Sequence, residues 1–362
     1  MITIQSFNNY TLSCQIKNIL IWTDARYLDV EILVQGETLI SERYYVQNGQ
    51  VTLYEIRSLL EQHMRSKMLS FVDKVDFQVK SDAGEIAQSK FALIYCDRNF
   101  IIYDVELFLR SRFLTIADSR RVAPDSGIYV AFFAFADERI NYVVRCDYYK
   151  EGKFFECEFE GPLGDMVAES DGVWQHAFEI ERIAERAREE AGTEIELVAF
   201  TIRMGERVES YFIDKSLKDA KAFYFRNCFN VSDTILVPSV TTAKTKVDRS
   251  TAVLGNELEF YDANFEQTFE METSGLTSEE CALAEQMFCS NDVRTPFENE
   301  AFDDDMDALR PVLITECTCE ISDRPDEPNR VKFTWRYAEN RITAGNPLHH
   351  SIFNESYNYP FK

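Results

Sequence analysis

Two short segments of this chain repeat one pattern. Leu53–Met64 reads LYEIRSLLEQHM, and Ala177–Glu189 reads AFEIERIAERARE. Each places an aromatic residue before Glu-Ile and then spaces apolar residues for a helix. The first stripe is Ile56, Leu59, Leu60 and His63; the second is Ile180, Ile183, Ala184 and Ala187. Positions i, i+3, i+4 and i+7 share one face, so each segment predicts a helix buried on one side. The flanks match as well. Leu28, Val30, Ile32 and Val34 alternate before Gly36, and Val144, Cys146 and Tyr148 alternate before Gly152. Period-two alternation is the mark of a half-buried strand. A return strand follows each glycine, at residues 39–46 and 154–160. After the helices, Val75, Phe77 and Val79 match Val198, Phe200 and Ile202, and each run turns back on itself. Five elements in one order predict an internal duplication.

A weaker third copy is expected downstream. The segment TSEECALAEQMFCS opens with a capping box of Thr277 and Glu280, and Leu276 and Cys281 are placed as a hydrophobic staple. Later, Val331, Phe333, Trp335 and Tyr337 alternate. The pattern predicts a mainly β chain of tandem β-sandwich-like domains, each a hairpin–helix–hairpin unit with one short crossover helix. Boundaries near Arg110–Arg121 and Phe225–Thr234 divide it into residues 1–112, 113–222 and 223–341. Residues 342–362 are left as a C-terminal arm. At 362 residues and 45% apolar, the chain is long and apolar enough for several cores.

The formal net charge of −24 argues against nucleic acid, whose phosphates need clustered Lys and Arg, and against anionic membrane surfaces. No apolar run reaches a membrane span of about 18 residues. No basic region with an apolar stretch behind it marks a secretory signal, so synthesis in the cytoplasm is expected. Nine cysteines, mostly inside strand-like or helix-like segments, are expected to be free and buried. Cys281 and Cys289 read as core positions on a helix. Cys317 and Cys319 read as one apolar face of a strand, not as a zinc pair, since no second pair completes the set.

No motif for catalysis, a dinucleotide, a phosphate loop or a metal is present, so neither a catalytic residue nor a cofactor is expected. His349 and His350 have no ligand pattern around them. Asp303, Asp305 and Asp307 have calcium-loop spacing but lack the Gly and Glu that an EF-hand needs. Trp174, in DGVWQHAF, is the aromatic placed to face a ligand. In the arm, the aromatics Phe353, Tyr357, Tyr359 and Phe361, with Glu355 between the first two, fall at a spacing of two. Such an alternating strand suits addition to a neighbour's sheet edge, which makes these residues candidates for an interface.

Several phrases in order carry a resemblance: GQVTLYEIRSLLEQHM, FLTIADSRRVAPDSGIYVAFF, FYFRNCFNVSDTILVPS, SGLTSEECALAEQMFCSNDV and VKFTWRYAENR. From about Leu28 to Arg341 the chain resembles the β-rich structural proteins in tail and baseplate modules of phages and prophages of Bacteroidetes gut bacteria. The resemblance implies a virion or prophage-encoded structural role, symmetric assembly, and partners that are further copies of the chain and other tail proteins. It carries over no site residues. A receptor- or glycan-binding module is the alternative expectation.

Overall fold

A computed structural model of the chain describes residues 1–161, 166–254, 257–273, 275–296, 309–322, 324 and 327–338. Those residues are mainly β, in six sheets with four α-helices. The first unit opens with β1 (Thr3–Ile4), β2 (Tyr10–Leu12) and β3 (Ile19–Trp22). A hairpin follows, β4 (Tyr27–Val34) and β5 (Glu37–Tyr45), turning at Gln35 and Gly36 with φ of +50° and +85°. Two consecutive positive φ values give the turn whose twist suits a hairpin. After β6 (Gln50–Leu53) and α1 (Ile56–Ser66) comes a second hairpin, β7 (Phe71–Ser81) and β8 (Ile86–Ile94). One sheet runs β5-β4-β7-β8-β2 and the facing one β1-β3-β6. Leu28, Val30, Ile32 and Val34 are buried as their alternation requires. The helix, however, is rotated from the expected stripe. Ile56, Leu60 and Met64 are its buried residues, while Leu59 and His63 are half-buried.

A short α2 (Val105–Ser111) leads into the second unit. Its strands are β9 (Ser119–Val122), β10 (Gly127–Ala134), β11 (Arg139–Ile140), β12 (Val143–Lys150), β13 (Lys153–Glu160), β14 (Met166–Val167) and β15 (Gly172–Glu179). Then follow α3 (Ile180–Ala191), β16 (Glu196–Met204) and β17 (Arg207–Ile213). The main sheet runs β13-β12-β16-β17-β9, with β10-β15 opposite it and a small β11-β14 clip. Strand for strand this is the order of the first unit. Even the added last strand runs parallel in both, β2 along β8 and β9 along β17. The β12–β13 turn repeats the same backbone, with Glu151 and Gly152 at φ of +50° and +74°.

The third unit is a sheet of a different kind. It comprises β18 (Lys221–Arg226), β19 (Ser232–Val237), β20 (Val240–Leu254), β21 (Glu257–Thr273), α4 (Ser278–Cys289), β22 (Val293–Thr295), β23 (Arg310–Glu320) and β24 (Arg330–Tyr337). All seven strands join in the order β19-β18-β22-β23-β24-β21-β20. The hairpin before the helix docks onto the last strand after it, whereas in the other two units it docks onto the first. The unit is therefore not a third copy. Its capping box is present: Glu280 N–H donates to Thr277 Oγ1 at 3.2 Å, and Thr277 N–H donates to the Glu280 carboxylate at 2.9 Å. Trp335 is fully buried beside Phe223 and Phe269. Cys289 and Cys317, expected in the core, are exposed. Cys317 does share a face of β23 with Cys319, since the two stand opposite Phe333 and Val331 of β24, yet it remains exposed there.

The two segments that look like boundaries, with the strand β10 that follows the first, are the cement of the molecule. β10 is buried along its whole length. Ile128, Val130 and Phe132 point into the second unit's core, while Ala131, Phe133 and Phe135 join a second core with Leu12, Ile94, Leu109 and Phe229. The loop 227–231 reaches all three units, with Asn227 Nδ2 donating to Leu114 O of the second at 2.8 Å. Cys228 O accepts from Asp97 N–H at 3.0 Å, Asn230 Nδ2 donates to Leu69 O at 3.0 Å, and Cys228 N–H donates to Gln286 Oε1 at 3.0 Å. Nearby, Arg120 on β9 is clamped between Glu209 on β17 and Asp233 on β19, with all three side chains buried. Asp233 also accepts from Thr115 Oγ1 at 3.0 Å and from Asn227 Nδ2 at 3.1 Å. Arg207, 1% exposed, donates to the carbonyls of Leu109 and Phe133 and to Glu138.

This network yields two predictions. Removing one member of a buried ion cluster strands the others, so Arg120→Met should destabilise the fold by about 3–5 kcal/mol in urea unfolding. An unchanged midpoint would show that the cluster does not hold the units. The second concerns Glu209, whose carboxyl is held above its ordinary range by burial, against the attraction of Arg120. A raised folded pKa means that the native state binds the proton more tightly than the unfolded chain does. Stability from this group is therefore full below its unfolded pKa and declines as pH rises through the folded one. Glu209→Gln should remove that decline. Its stability relative to the parent should grow from about pH 4.5 upward, and a pH-independent difference would refute the assignment.

Candidate functional site

Two features stand out on the surface. The first is a cleft in the second unit, with a volume of about 430 Å³. It opens where β13 and β15, each the last strand of its sheet, face one another across the mouth of the sandwich under α3. Val144, Phe178 and Ile183 from the core form the floor, with half-buried Phe159 beside them. His176 leans edge-on against Phe178, with ring centres 4.6 Å apart. The rim is charged. Arg182 pairs with Glu179 at 2.9 Å, Arg186 with Glu189 at 2.8 Å, and Glu160 lies opposite. The duplication supplies an internal comparison. The aligned helix in the first unit has Ser58 and Gln62 where α3 has Arg182 and Arg186. The fold therefore does not require the two arginines. Among the described residues, the lining has no Ser, Thr, Cys or Lys, and no group of three His, Cys, Asp or Glu side chains is placed to hold a metal. Its chemistry is apolar contact with two guanidinium and two carboxylate groups on the rim.

The second feature is the β20–β21 hairpin. These are the longest strands, paired with each other from Val240↔Glu272 to Leu254↔Glu257. Among the described residues, β21 meets its other neighbour, β24, only over Phe269–Thr273. Beyond that point the hairpin continues as a two-stranded ribbon, roughly 35 Å long at about 3.3 Å per residue. Its outer strand is exposed from Lys244 to Arg249. It carries Lys244, Lys246 and Arg249 against a single acid, Asp248, in a chain whose net charge is −24. Lys246 pairs with Asp248 at 2.9 Å, and Lys244 with Glu270.

The residues singled out by sequence fall as follows. Phe353, Tyr357, Tyr359 and Phe361 lie outside the described residues, as do Asp303, Asp305, Asp307, His349 and His350. Trp174 sits on β15, opposite Phe132, and is half-buried against the second unit's core. It shares a strand face with His176 and Phe178 but does not line the cleft. Sequence reasoning passed over both features. His176 lies two residues from Trp174 in the same phrase and could have been flagged by that spacing. The ribbon is written as two long segments with no glycine or proline inside either strand.

No family model matches the sequence, and no curated protein matches it. Solved structures show a faint likeness, of which two serve as examples. One is the native conformation of Escherichia coli alpha-2-macroglobulin, 9% identical, with a TM-score of 0.20. That match covers 75% of this chain but 21% of the macroglobulin, so the chain spans about a fifth of its length. The other is SGBP-B of the Bacteroides ovatus mixed-linkage glucan utilization locus, in complex with a mixed-linkage heptasaccharide. It is 10% identical, with 88% of this chain and 70% of that one covered and a TM-score of 0.15. Neither score carries an argument about this chain. No described helix is long and apolar enough to cross a membrane.

Proposed function

We propose that the chain is a non-enzymatic assembly component that acts through protein–protein interfaces, with further copies of itself as partners. The observation that supports this reading is the ribbon. A two-stranded hairpin is only marginally stable alone in water, and a long edge strand is a template for pairing. The local excess of Lys and Arg on β20 complements the acidic remainder of a second copy. A body whose three units are locked together by buried contacts suits a building block better than a flexible tether. A phage or prophage tail or baseplate is the particular setting, and it rests on the sequence resemblance alone.

Replacing residues 246–266 with a short Gly-Ser turn should lower the mass of the native protein in light scattering. Raising salt should weaken the same association, because exposed charges are screened. An assembly indifferent to both changes would sink the proposal, as would a parent protein that stays monomeric at high concentration.

The cleft favours a second reading, a receptor- or glycan-binding module. Its aromatic floor and paired charges suit a neutral saccharide, which offers apolar ring faces and hydroxyls. On a glycan array, Phe159→Ala and Arg182→Ala should abolish any signal given by the parent, while Ser58→Ala should not. A signal that survives both cleft changes would place binding elsewhere.

A further inference from the structure

All nine cysteines are free, yet three pairs of them face one another, one involving each unit. In the first, Ser13 Oγ accepts from Cys96 N–H at 2.8 Å and donates to Cys96 O at 2.9 Å, which sets the adjoining Cys14 beside Cys96, thiol against thiol. In the second, Cys146 and Cys157 are direct cross-strand partners in the β12–β13 hairpin. Residues directly opposite in an antiparallel pair have Cα atoms about 4.5–5.5 Å apart. A disulfide needs about 4.4–6.8 Å. In the third, Cys319 on β23 reaches Cys281 on α4, with Cys319 Sγ at 3.9 Å from the Cys281 carbonyl and the two thiols in contact. Each pair has the same asymmetry. Cys96, Cys146 and Cys281 are buried, whereas Cys14, Cys157 and Cys319 are half-exposed.

We infer that these three pairs are modification sites that close into intramolecular disulfides by exchange with a small disulfide. The half-exposed thiolate attacks one sulfur of the reagent, forming a mixed disulfide and expelling one thiol. The buried partner then gives up its proton and attacks the protein sulfur of that mixed disulfide, expelling the second thiol. Two protein thiols are oxidised, the reagent is reduced to two thiols, and the atoms balance. The asymmetry fits the order of events, because the reagent meets only the outer cysteine. The pairs should not close together. A hydrogen bond from Cys96, aided by the Phe100 backbone and by Arg57, outweighs burial and lowers the Cys14 thiol to about 7. Burial instead raises Cys157 and Cys319. At neutral pH Cys14–Cys96 should therefore form first, and alkaline pH should speed the other two relative to it.

The test uses the full chain with Cys289→Ser and Cys317→Ser, which removes the two exposed thiols and leaves seven. It is equilibrated with oxidised glutathione, quenched in acid, unfolded, alkylated with N-ethylmaleimide and weighed. The expected product carries one maleimide, on buried Cys228, and no glutathione. Peptide mapping should give 14–96, 146–157 and 281–319, and adding Cys157→Ser should free Cys146 alone. Seven maleimides, other pairings, or glutathione retained on the outer cysteines would each overturn the inference.

Discussion

The structure turns on Arg120. This guanidinium lies in an apolar interior, where an ion is tolerable only if its charge and donors are matched. Glu209 and Asp233 match it, and they come from different units. The guanidinium is held by both at once, so one buried cluster joins the second and third units. Glu209 Oε2, on the side away from Arg120, is enclosed with the Tyr211 hydroxyl, which faces it. Two carboxylates around one guanidinium are one negative charge too many. Burial relieves the excess by pushing the Glu209 carboxyl towards its neutral form. The joint thus favours a docked arrangement of units over a hinged one.

Duplication explains how the joint could be built. Two copies of one sandwich bring the same hairpins, turns and parallel last strand, yet they bury different surroundings. In the first copy β3 has β1 as its outer neighbour. In the second, among the described residues, β10 has no paired strand on that side and packs against β19 of the third unit instead. A strand that must be apolar on both faces is the consequence, and GIYVAFFA supplies it. The same freedom acts on the helices. Their inner faces are fixed by the core, while their outer faces drift, which is how Arg182 and Arg186 come to stand where the first copy has Ser58 and Gln62.

Much of this was legible in the sequence, because periodicity reports local geometry. The strands around Leu28–Val34 and Val144–Tyr148, both helices of the repeat, and the cap at Thr277 and Glu280 all follow from spacing and turn chemistry. What failed was long-range. FRNCFNVSDT reads as a polar break between strands, and its polar residues are there to bond three separate units. Asn227, Asn230 and Asp233 look like turn formers because the partners that justify them are far away in sequence. The third unit was misread for a related reason. Hairpin, helix and hairpin recur there in order, but order along the chain does not determine which strand docks on which. The cleft was invisible because its lining comes from four elements, β12, β13, β15 and α3, and the local signals on α3 and at His176 do not say that they meet.

The rigid joint and the ribbon constrain each other. If the units could swing, a ribbon extending some 35 Å from one edge would sweep a wide volume, and its strand would meet a partner at many angles. Fixing the units fixes the direction of that edge. It also reduces the freedom that any contact must remove, and so raises the affinity obtained from a narrow strip of backbone hydrogen bonds. The charge pattern points the same way. β20 bears a small basic excess, while the remainder of the chain is strongly acidic, so in the proposed assembly this strand is the part of one copy that a second copy repels least. For the proposed assembly, such a balance would oppose indiscriminate clustering and favour a directed contact.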